Sequence, residues 1–202
     1  MRIIRISSSL HYVEILKIRF FYFLLEGKMS NQIIKVTNIN GSKATLEFSE
    51  NNVKLFSKKA FIGNNGTTND KKEGDGKTPI GKYNLGVAFG THNKVRFRNY
   101  IKINENLHWV DDINSEFYNK MVDITKVKKD WNSSEHLIEY PRQYEYAIEI
   151  KTNPKNIPGK GSAIFLHCSI GVPTAGCIAI DSQYMKLLLE KLQNNAVICI
   201  EI

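Results

Sequence analysis

From Ile33 onward, apolar and polar residues alternate in short runs of the kind that form β-strands. Three such runs, IIKVTNI, KATLEF and VKLFSKKAFIG, are separated by Asn-Gly-Ser and Glu-Asn-Asn, which predict hairpin turns. We therefore expect an antiparallel meander first. The almost continuously apolar run at 162–167 predicts a central strand, and residues 144–150 and 196–202 predict two more.

Two further segments complete the predicted architecture. Residues 181–192, DSQYMKLLLEKL, have apolar residues at helical spacing, and Asp181 or Ser182 can cap the first turn. Residues 100–140 are rich in aromatic and polar residues without a sustained period, which predicts a long irregular excursion with one strand through 108–110. We expect a mostly β fold with one packed helix, in which the excursion covers a site or fills a groove.

The first 28 residues differ from the rest of the chain. Their apolar part, ILKIRFFYFLL, is interrupted by Lys17 and Arg19, so it is too short for a clear signal peptide or a transmembrane span. Met29 opens an ordinary polar N-terminus, which favours a start codon assigned too far upstream; a poor signal or an anchor-like extension are the alternatives. We expect an N-terminal extension at 1–28 and one domain at 29–202.

Charge and cysteine content argue against a nucleic-acid-binding protein and against a disulfide-stabilised one. The formal net charge of +8 suits an anionic partner, but the lysines are scattered and no nucleic-acid-binding motif is visible, so we expect a solvated basic surface and no nucleic-acid partner. Three cysteines do not make a disulfide framework, and an odd count leaves at least one thiol unpaired. A free thiol is therefore expected.

The stretch AIFLHCSIGVPTAGCIAI, residues 163–180, carries the candidate chemistry. Side chains alternate along a strand, so His167 and Cys168 face opposite ways and Cys168 is predicted to be a core thiol; Cys199 is likewise predicted to be a small buried residue. Cys177 follows Gly176, which permits a turn, and the predicted helix begins a few residues later. A thiol near a helix N-terminus and an imidazole is a typical nucleophile.

Cys177 and His167 thus form a candidate catalytic pair across a ten-residue loop. The alternative of a packed histidine and an inert thiol stays open at this point, because such a spacing also arises by chance. A zinc site made of His167, Cys168 and Cys177 is disfavoured, since neighbouring strand residues face apart and no fourth ligand stands at finger-like spacing. We expect no metal and no cofactor.

Several blocks resemble a known family. AFIGNNG, EGDGKTPIGKYNLGVAFG, PGKGSAIFLH and TAGCIAI, in this order, resemble the L,D-transpeptidase catalytic domain of the YkuD family, in a branch with TAGC in place of the commoner SHGC. WVDDINSEFYNKMVD and KKDWNSSEHL are similar to the same branch. The resemblance covers 33–202 and implies a YkuD-like, mostly antiparallel β-sandwich with a packed helix, so that 29–202 would be a catalytic domain.

The resemblance also implies a reaction. Cys177 corresponds to the nucleophile and His167 to the general base, and the backbone N–H groups of Gly176 and Cys177 would form an oxyanion hole. The substrates would be peptidoglycan stem peptides, as donor and acceptor, joined in a 3→3 cross-link through a thioester on Cys177, and carbapenem-type inhibitors would bind. An L,D-carboxypeptidase on the same scaffold and a non-catalytic cell-wall-binding module are the alternatives.

The chain departs from the commoner family pattern near the cysteine. Ala175 stands where a second histidine is usual, and Ala179 where an Arg or Asn is usual. His136, on the excursion, is a candidate substitute that orients substrate or shares proton transfer, and Thr174 is a further candidate auxiliary or substrate-binding residue. The family role implies action in the cell wall, outside the cytoplasm, although no export signal is convincing and a cytoplasmic location stays open.

Overall fold

The strands β1 (Gln32–Asn40), β2 (Lys43–Glu50) and β3 (Val53–Phe61) form the meander that the alternation predicted. The computed structural model describes residues 31–92, 95–97 and 100–202, so the extension predicted for 1–28 lies outside the described residues. Asn51 and Asn52, with φ of +51° and +66°, form the β2–β3 turn. Type I′ hairpin turns require this left-handed conformation, which asparagine tolerates better than most residues.

The other described strands are β4 (Thr67–Thr68), β5 (Thr78–Pro79), β6 (Gly81–Gly90), β7 (Tyr100–Lys102), β8 (Leu107–Val110), β9 (Met121–Asp123), β10 (Ser134–His136), β11 (Ala147–Ile150), β12 (Phe165–Cys168), β13 (Ile178–Ile180) and β14 (Val197–Ile200). The helix α1 spans Ser182–Lys191, and two 3-10 turns, η1 (Leu137–Glu139) and η2 (Gln143–Glu145), precede β11. The predicted helix and terminal strand are confirmed. The strand predicted for 144–150 begins only at Ala147, because Tyr144 lies in η2.

Among the described residues, nine strands pair in the order β11-β12-β13-β3-β2-β1-β14-β6-β7. Most pairings are antiparallel, and β1–β14, β12–β13 and β6–β7 are parallel. The first half of β6 pairs with β14 and its second half with β11, which closes the sheet on itself. The expected mostly β fold, with one helix packed against the sheet, is confirmed.

The main core lies between this sheet and α1. Met185, Leu188 and Leu189 of the helix are fully buried against strand residues that include Leu166 and Cys168. Cys168 is therefore the core thiol that the strand alternation predicted. The Asp181 side chain accepts a hydrogen bond from the Gln183 amide at 3.0 Å and caps α1, as expected.

The prediction for Cys199 is wrong, because this thiol is only partly buried. Ile198 and Ile200 take the inward positions of β14 and are fully buried, so the intervening side chain points to the opposite face of the sheet.

The segment 100–140 is more ordered than predicted. Its strands pair as a three-stranded antiparallel sheet in the order β10-β8-β9. Each strand is only three or four residues long, too short for hydrophobic periodicity to reveal. Trp109 of β8 joins Phe89, Tyr144 and Phe165 in a second, aromatic core on the opposite face of β12 from Leu166. No helix in the described part of the chain has the length and apolar character needed to cross a membrane.

Candidate active site

Cys177 lies at the edge of the second core, immediately before β13. Its Sγ accepts a hydrogen bond from the Phe165 amide at 3.2 Å and lies 3.2 Å from the Ala163 carbonyl oxygen, to which the thiol donates. The residue is 8% exposed. The register of the parallel β12–β13 pair, with Leu166 opposite Ile178, places Cys177 beside Phe165. The sulfur is therefore held in place by two backbone groups, the Phe165 amide and the Ala163 carbonyl.

Two threonine hydroxyls hold the turn that carries Cys177. Thr174 Oγ1 donates to the Cys177 carbonyl oxygen at 2.6 Å and accepts from the Gly176 amide at 3.2 Å. Thr78 Oγ1, which is fully buried, donates to the Gly176 carbonyl oxygen at 2.8 Å and accepts from the Gly63 amide at 2.8 Å. Thr174 is thus positioned to shape the turn. The Gly176 N–H, a predicted oxyanion donor, is hydrogen-bonded to Thr174 in this arrangement.

Gly176 is confined both by its backbone conformation and by its neighbours. Its φ is +147°, and a Cβ there would lie 3.0 Å from the Lys77 carbonyl oxygen, 3.1 Å from Ile164 Cδ1 and 3.2 Å from Lys71 Nζ. We expect Gly176→Ala to lower the free energy of unfolding by about 2–4 kcal/mol, because strain in φ and crowding add together. Urea denaturation followed by circular dichroism measures the loss.

Gly171→Ala is the matched control for this prediction. Gly171 lies in the same loop and also has a positive φ, +88°, but nothing lies within 4 Å of a Cβ at that position. It should lose only about 1 kcal/mol, the cost of the φ angle alone. Equal losses for the two variants would contradict the crowding argument at Gly176.

Ala163, which accepts the thiol hydrogen bond, has an uncommon backbone conformation. Its φ is +51°, in the left-handed region that alanine seldom adopts. The Ala163 amide donates to Asn119 Oδ1 at 3.2 Å, and Asn119 in turn donates to the Asn153 carbonyl and to Asn156 Oδ1. This network stabilises the strained residue and so fixes the carbonyl that the thiol contacts.

The electrostatic surroundings of Cys177 keep its thiol protonated at rest. Burial, reinforced by the nearby Glu135 carboxylate, raises the pKa of the Cys177 thiol to about 12, whereas the Phe165 amide and the Lys71 ammonium act in the opposite direction. The thiol is therefore neutral at physiological pH in this arrangement. A reaction through the thiolate would need a base or a change of surroundings on substrate binding.

His167 is buried on the same face of β12 as Phe165. Its Nδ1 lies 2.9 Å from the Cys168 carbonyl oxygen, so the hydrogen bond places the proton on Nδ1 and leaves a lone pair on Nε2. Burial lowers the pKa of His167, and the bond to the Cys168 carbonyl opposes this only in part. A neutral imidazole with a free lone pair is the form that can accept a proton.

The two predicted partners lie on the same face of neighbouring strands but do not contact each other. His167 stands two residues beyond Phe165, the neighbour of Cys177, which is about 6.6 Å along the strand. No hydrogen bond joins the thiol and the imidazole within the described ranges. The Tyr144 ring packs edge-on against both His167 and Phe165, at centroid distances of 5.7 Å. The structure thus places Cys177 and His167 near each other without contact, and the Tyr144 ring packs beside His167.

A cavity of about 210 Å³ opens beside Cys177. Its wall includes Lys71, Glu73, Asp111, Glu135 and the turn residues Ala175 and Gly176, so the methyl group of Ala175 stands where the commoner motif has a histidine. None of the four charged residues was predicted from the sequence. They come from the polar loop and from the excursion, where their only signal is a position in the blocks KKEGDGK, WVDD and SSEH.

Glu135 is the member of this wall that Tyr144 contacts. The Tyr144 hydroxyl donates a hydrogen bond to its carboxylate. Burial raises the pKa of Glu135 to about 7, although the Tyr144 hydrogen bond lowers it in part. Burial and the adjacent carboxylate raise the pKa of Tyr144 well above 10, so the phenol stays protonated and remains a donor.

His136, a candidate from the sequence, faces away from this cavity. The β8–β10 register pairs Glu135 with Trp109 and His136 with His108, so the two neighbours point to opposite faces. His136 stacks on His108 at 4.3 Å and contacts Glu139 Oε1 at 2.9 Å and the Glu105 carbonyl oxygen at 2.8 Å. The hydrogen bond with Glu139 raises the pKa of His136. The His136 side chain therefore stabilises the excursion and does not line the cavity.

Within the described residues, no group of three or more His, Cys, Asp or Glu side chains is arranged to hold a metal ion. The side chains that line the cavity beside Cys177 include a thiol, an ammonium group and carboxylates.

Comparisons with solved structures give distant similarities. L,D-transpeptidase 1 of Mycobacterium tuberculosis is 13% identical with a TM-score of 0.41, over 85% of this chain and 62% of that chain. The helical cell shape determining protein Pgp2 of Campylobacter jejuni is 18% identical with a TM-score of 0.46, over 86% and 48%. An L,D-transpeptidase of Mycobacterium smegmatis is 9% identical with a TM-score of 0.42, over 86% and 59%.

In each case the chain spans less than two thirds of the solved protein. A search of the curated proteins gave no significant match. The family comparison, by contrast, gives a match, and the model of the L,D-transpeptidase catalytic domain spans residues 35–200, from within β1 to the end of β14. This chain therefore belongs to the YkuD family of L,D-transpeptidase catalytic domains.

Proposed function

We propose that this protein is a cysteine-dependent L,D-transpeptidase that acts on peptidoglycan stem peptides. The observation that carries the proposal is the Cys177 thiol, held by two backbone groups at the wall of a cavity, in a chain that belongs to this family. A substrate carbonyl that enters the cavity would meet a fixed nucleophile. Orientation of this kind is a large part of what a catalytic site supplies.

In the first half-reaction, the Cys177 sulfur attacks the carbonyl of the third residue of a donor stem. Because the resting thiol donates to the Ala163 carbonyl, the substrate must release it from that bond before it can transfer its proton. The free lone pair on His167 Nε2 accepts the proton, and catalytic hydrogen bonds commonly tighten only when substrate is bound. The protonated His167 then gives this proton to the nitrogen of the D-alanine at position four, the C–N bond breaks, the D-alanine leaves, and a thioester remains on Cys177.

The developing negative charge on the carbonyl oxygen requires hydrogen-bond donors. The Cys177 N–H and the Gly176 N–H are the proposed donors, and the latter must exchange its bond to Thr174 Oγ1 for one to the oxyanion. Lys71, on the same wall, adds a positive charge near the sulfur and the oxyanion.

In the second half-reaction, an amine from the third residue of a neighbouring stem attacks the thioester and gives a 3→3 cross-link. Water in its place would give L,D-carboxypeptidase activity. The proposed site of action is the cell wall, outside the cytoplasm.

The products formed by the predicted domain, residues 29–202, test this proposal. The protein is incubated with disaccharide-tetrapeptide, and the products and the intact protein are analysed by mass spectrometry. A mass increase on the protein together with a cross-linked dimer is the expected result. A trimmed tripeptide alone would instead indicate the carboxypeptidase. No adduct and no product from folded protein would contradict an enzymatic role and leave a cell-wall-binding module.

A further inference from the structure

The carboxylates on the cavity wall differ in how far their hydrogen-bonding capacity is used. Glu73 accepts from the Tyr118 hydroxyl and from Ser162 Oγ, at 2.5 and 2.8 Å. Within the residues that the structure describes, Glu135 accepts only from the Tyr144 hydroxyl. Asp111 Oδ1 is covered from solvent and has no hydrogen-bond partner in the described part of the chain. Because a carboxylate accepts up to about four hydrogen bonds, the wall beside Cys177 keeps unused acceptor capacity.

The charge of the cavity is also unbalanced. Lys71 is the cation on the wall, and its Nζ is already paired with Asp75 Oδ1 at 2.5 Å, with both side chains mostly buried. The three carboxylates face the cavity without a cation of their own among its lining residues. An enclosed negative site of this kind favours a ligand that is positively charged and rich in N–H donors. A primary amine in its ammonium form has both properties.

We propose that Glu135 is a further catalytic residue, which binds the acceptor amine beside Cys177 and takes its proton as the amine attacks the thioester. This inference rests on the proposed function and deepens it, because it assigns the second half-reaction to a residue that the family motif around Cys177 does not include. Asp111 and Glu73 add negative charge that favours the amine over neutral nucleophiles.

The ammonium group first loses one proton to solvent, and the neutral amine attacks the thioester carbon. The C–N bond forms, the C–S bond breaks, and the second proton passes from nitrogen to the Glu135 carboxylate. The protonated Glu135 then returns that proton to the departing Cys177 thiolate. Amide and neutral thiol are the products, and no other reactant is needed.

The acidities of the two groups agree with this direction of transfer. Burial raises the pKa of Glu135 to about 7, so the carboxylate is available near neutral pH and its protonated form is accessible. Burial raises the pKa of Cys177 to about 12, so the thiolate leaving the thioester is the stronger base of the two. The proton therefore moves from Glu135 to the sulfur at the end of the step.

The variant Glu135→Gln separates the two half-reactions. Removing the negative charge beside the thiol eases its ionisation, so we expect acylation of Cys177 by the donor to become about two- to fivefold faster. Loss of the proton acceptor should slow dimer formation about 100-fold, so that the ratio of tripeptide to dimer rises. Rapid-quench mass spectrometry of the acyl-enzyme and chromatography of the products measure the two rates.

Glu139→Gln is the matched control. Glu139 lies four residues away, is exposed and contacts His136 outside the cavity, so its variant should keep both wild-type rates. If Glu135→Gln does not fold, Glu135→Asp takes its place, and its ratio of tripeptide to dimer should rise by a smaller factor.

The outcomes distinguish this inference from the proposed function. Wild-type acylation with unchanged dimer formation in Glu135→Gln, or an unchanged product ratio in the folded Asp variant, would overturn the role of Glu135 and leave the cysteine chemistry intact. Absence of any acyl-enzyme in the wild type would overturn the proposed function itself.

Discussion

Cys177→Ala is expected to reduce donor acylation and cross-link formation at least about 1,000-fold, because the sulfur is the atom that forms and breaks the covalent bond to the substrate. The side chain of alanine leaves the Phe165 amide and the Ala163 carbonyl without their sulfur partner but has no nucleophile. Intact-mass spectrometry after incubation with a carbapenem, and separately with disaccharide-tetrapeptide, measures the loss as a missing adduct.

Cys199→Ala is the control for this prediction. Cys199 is a free, partly buried thiol on β14 and does not line the cavity, so its removal should leave adduct formation at the wild-type level. Thermal unfolding of both variants shows whether a loss of adduct formation is caused by loss of the folded structure. An adduct that persists in folded Cys177→Ala would mean that another residue is the nucleophile.

Much of the fold follows from local patterns in the sequence. The β1–β3 meander was predicted because its strands are long, alternate clearly and are joined by turns containing Gly41 or Asn51 and Asn52, whose φ angles are positive as hairpin turns require. The α1 helix was predicted for the same kind of reason, since Asp181 caps it and its apolar residues recur at helical spacing. In both cases the signal lies within a single element.

The cavity beside Cys177 could not be predicted in this way. Glu135 faces the cavity because β10 pairs with β8 in a register that sets it opposite Trp109. A shift of one residue would have directed His136 inward instead, and nothing in SSEHL chooses between the two. Chemistry alone favoured the histidine as the candidate, whereas the pairing of two short strands selected the glutamate. Long-range register, rather than composition, therefore decides which side chain meets the thiol.

His167→Gln is expected to slow acylation of Cys177 about 100- to 10,000-fold, the range typical for loss of a general base. Glutamine can still donate a hydrogen bond to the Cys168 carbonyl, so the variant removes the titrating nitrogen while leaving this contact possible. The pH profile gives a second signature. Because burial lowers the pKa of His167, the wild-type rate should fall with acid only below pH 6.5, and the variant should lack this limb.

His136→Ala is the matched control, since its imidazole contacts Glu139 and the Glu105 carbonyl outside the cavity. It should acylate within about twofold of the wild type and keep the acid limb, because no proton of the reaction passes through it. Stopped-flow acylation by a carbapenem between pH 5 and pH 8 compares the three proteins. A wild-type rate in folded His167→Gln would remove the imidazole from the first half-reaction.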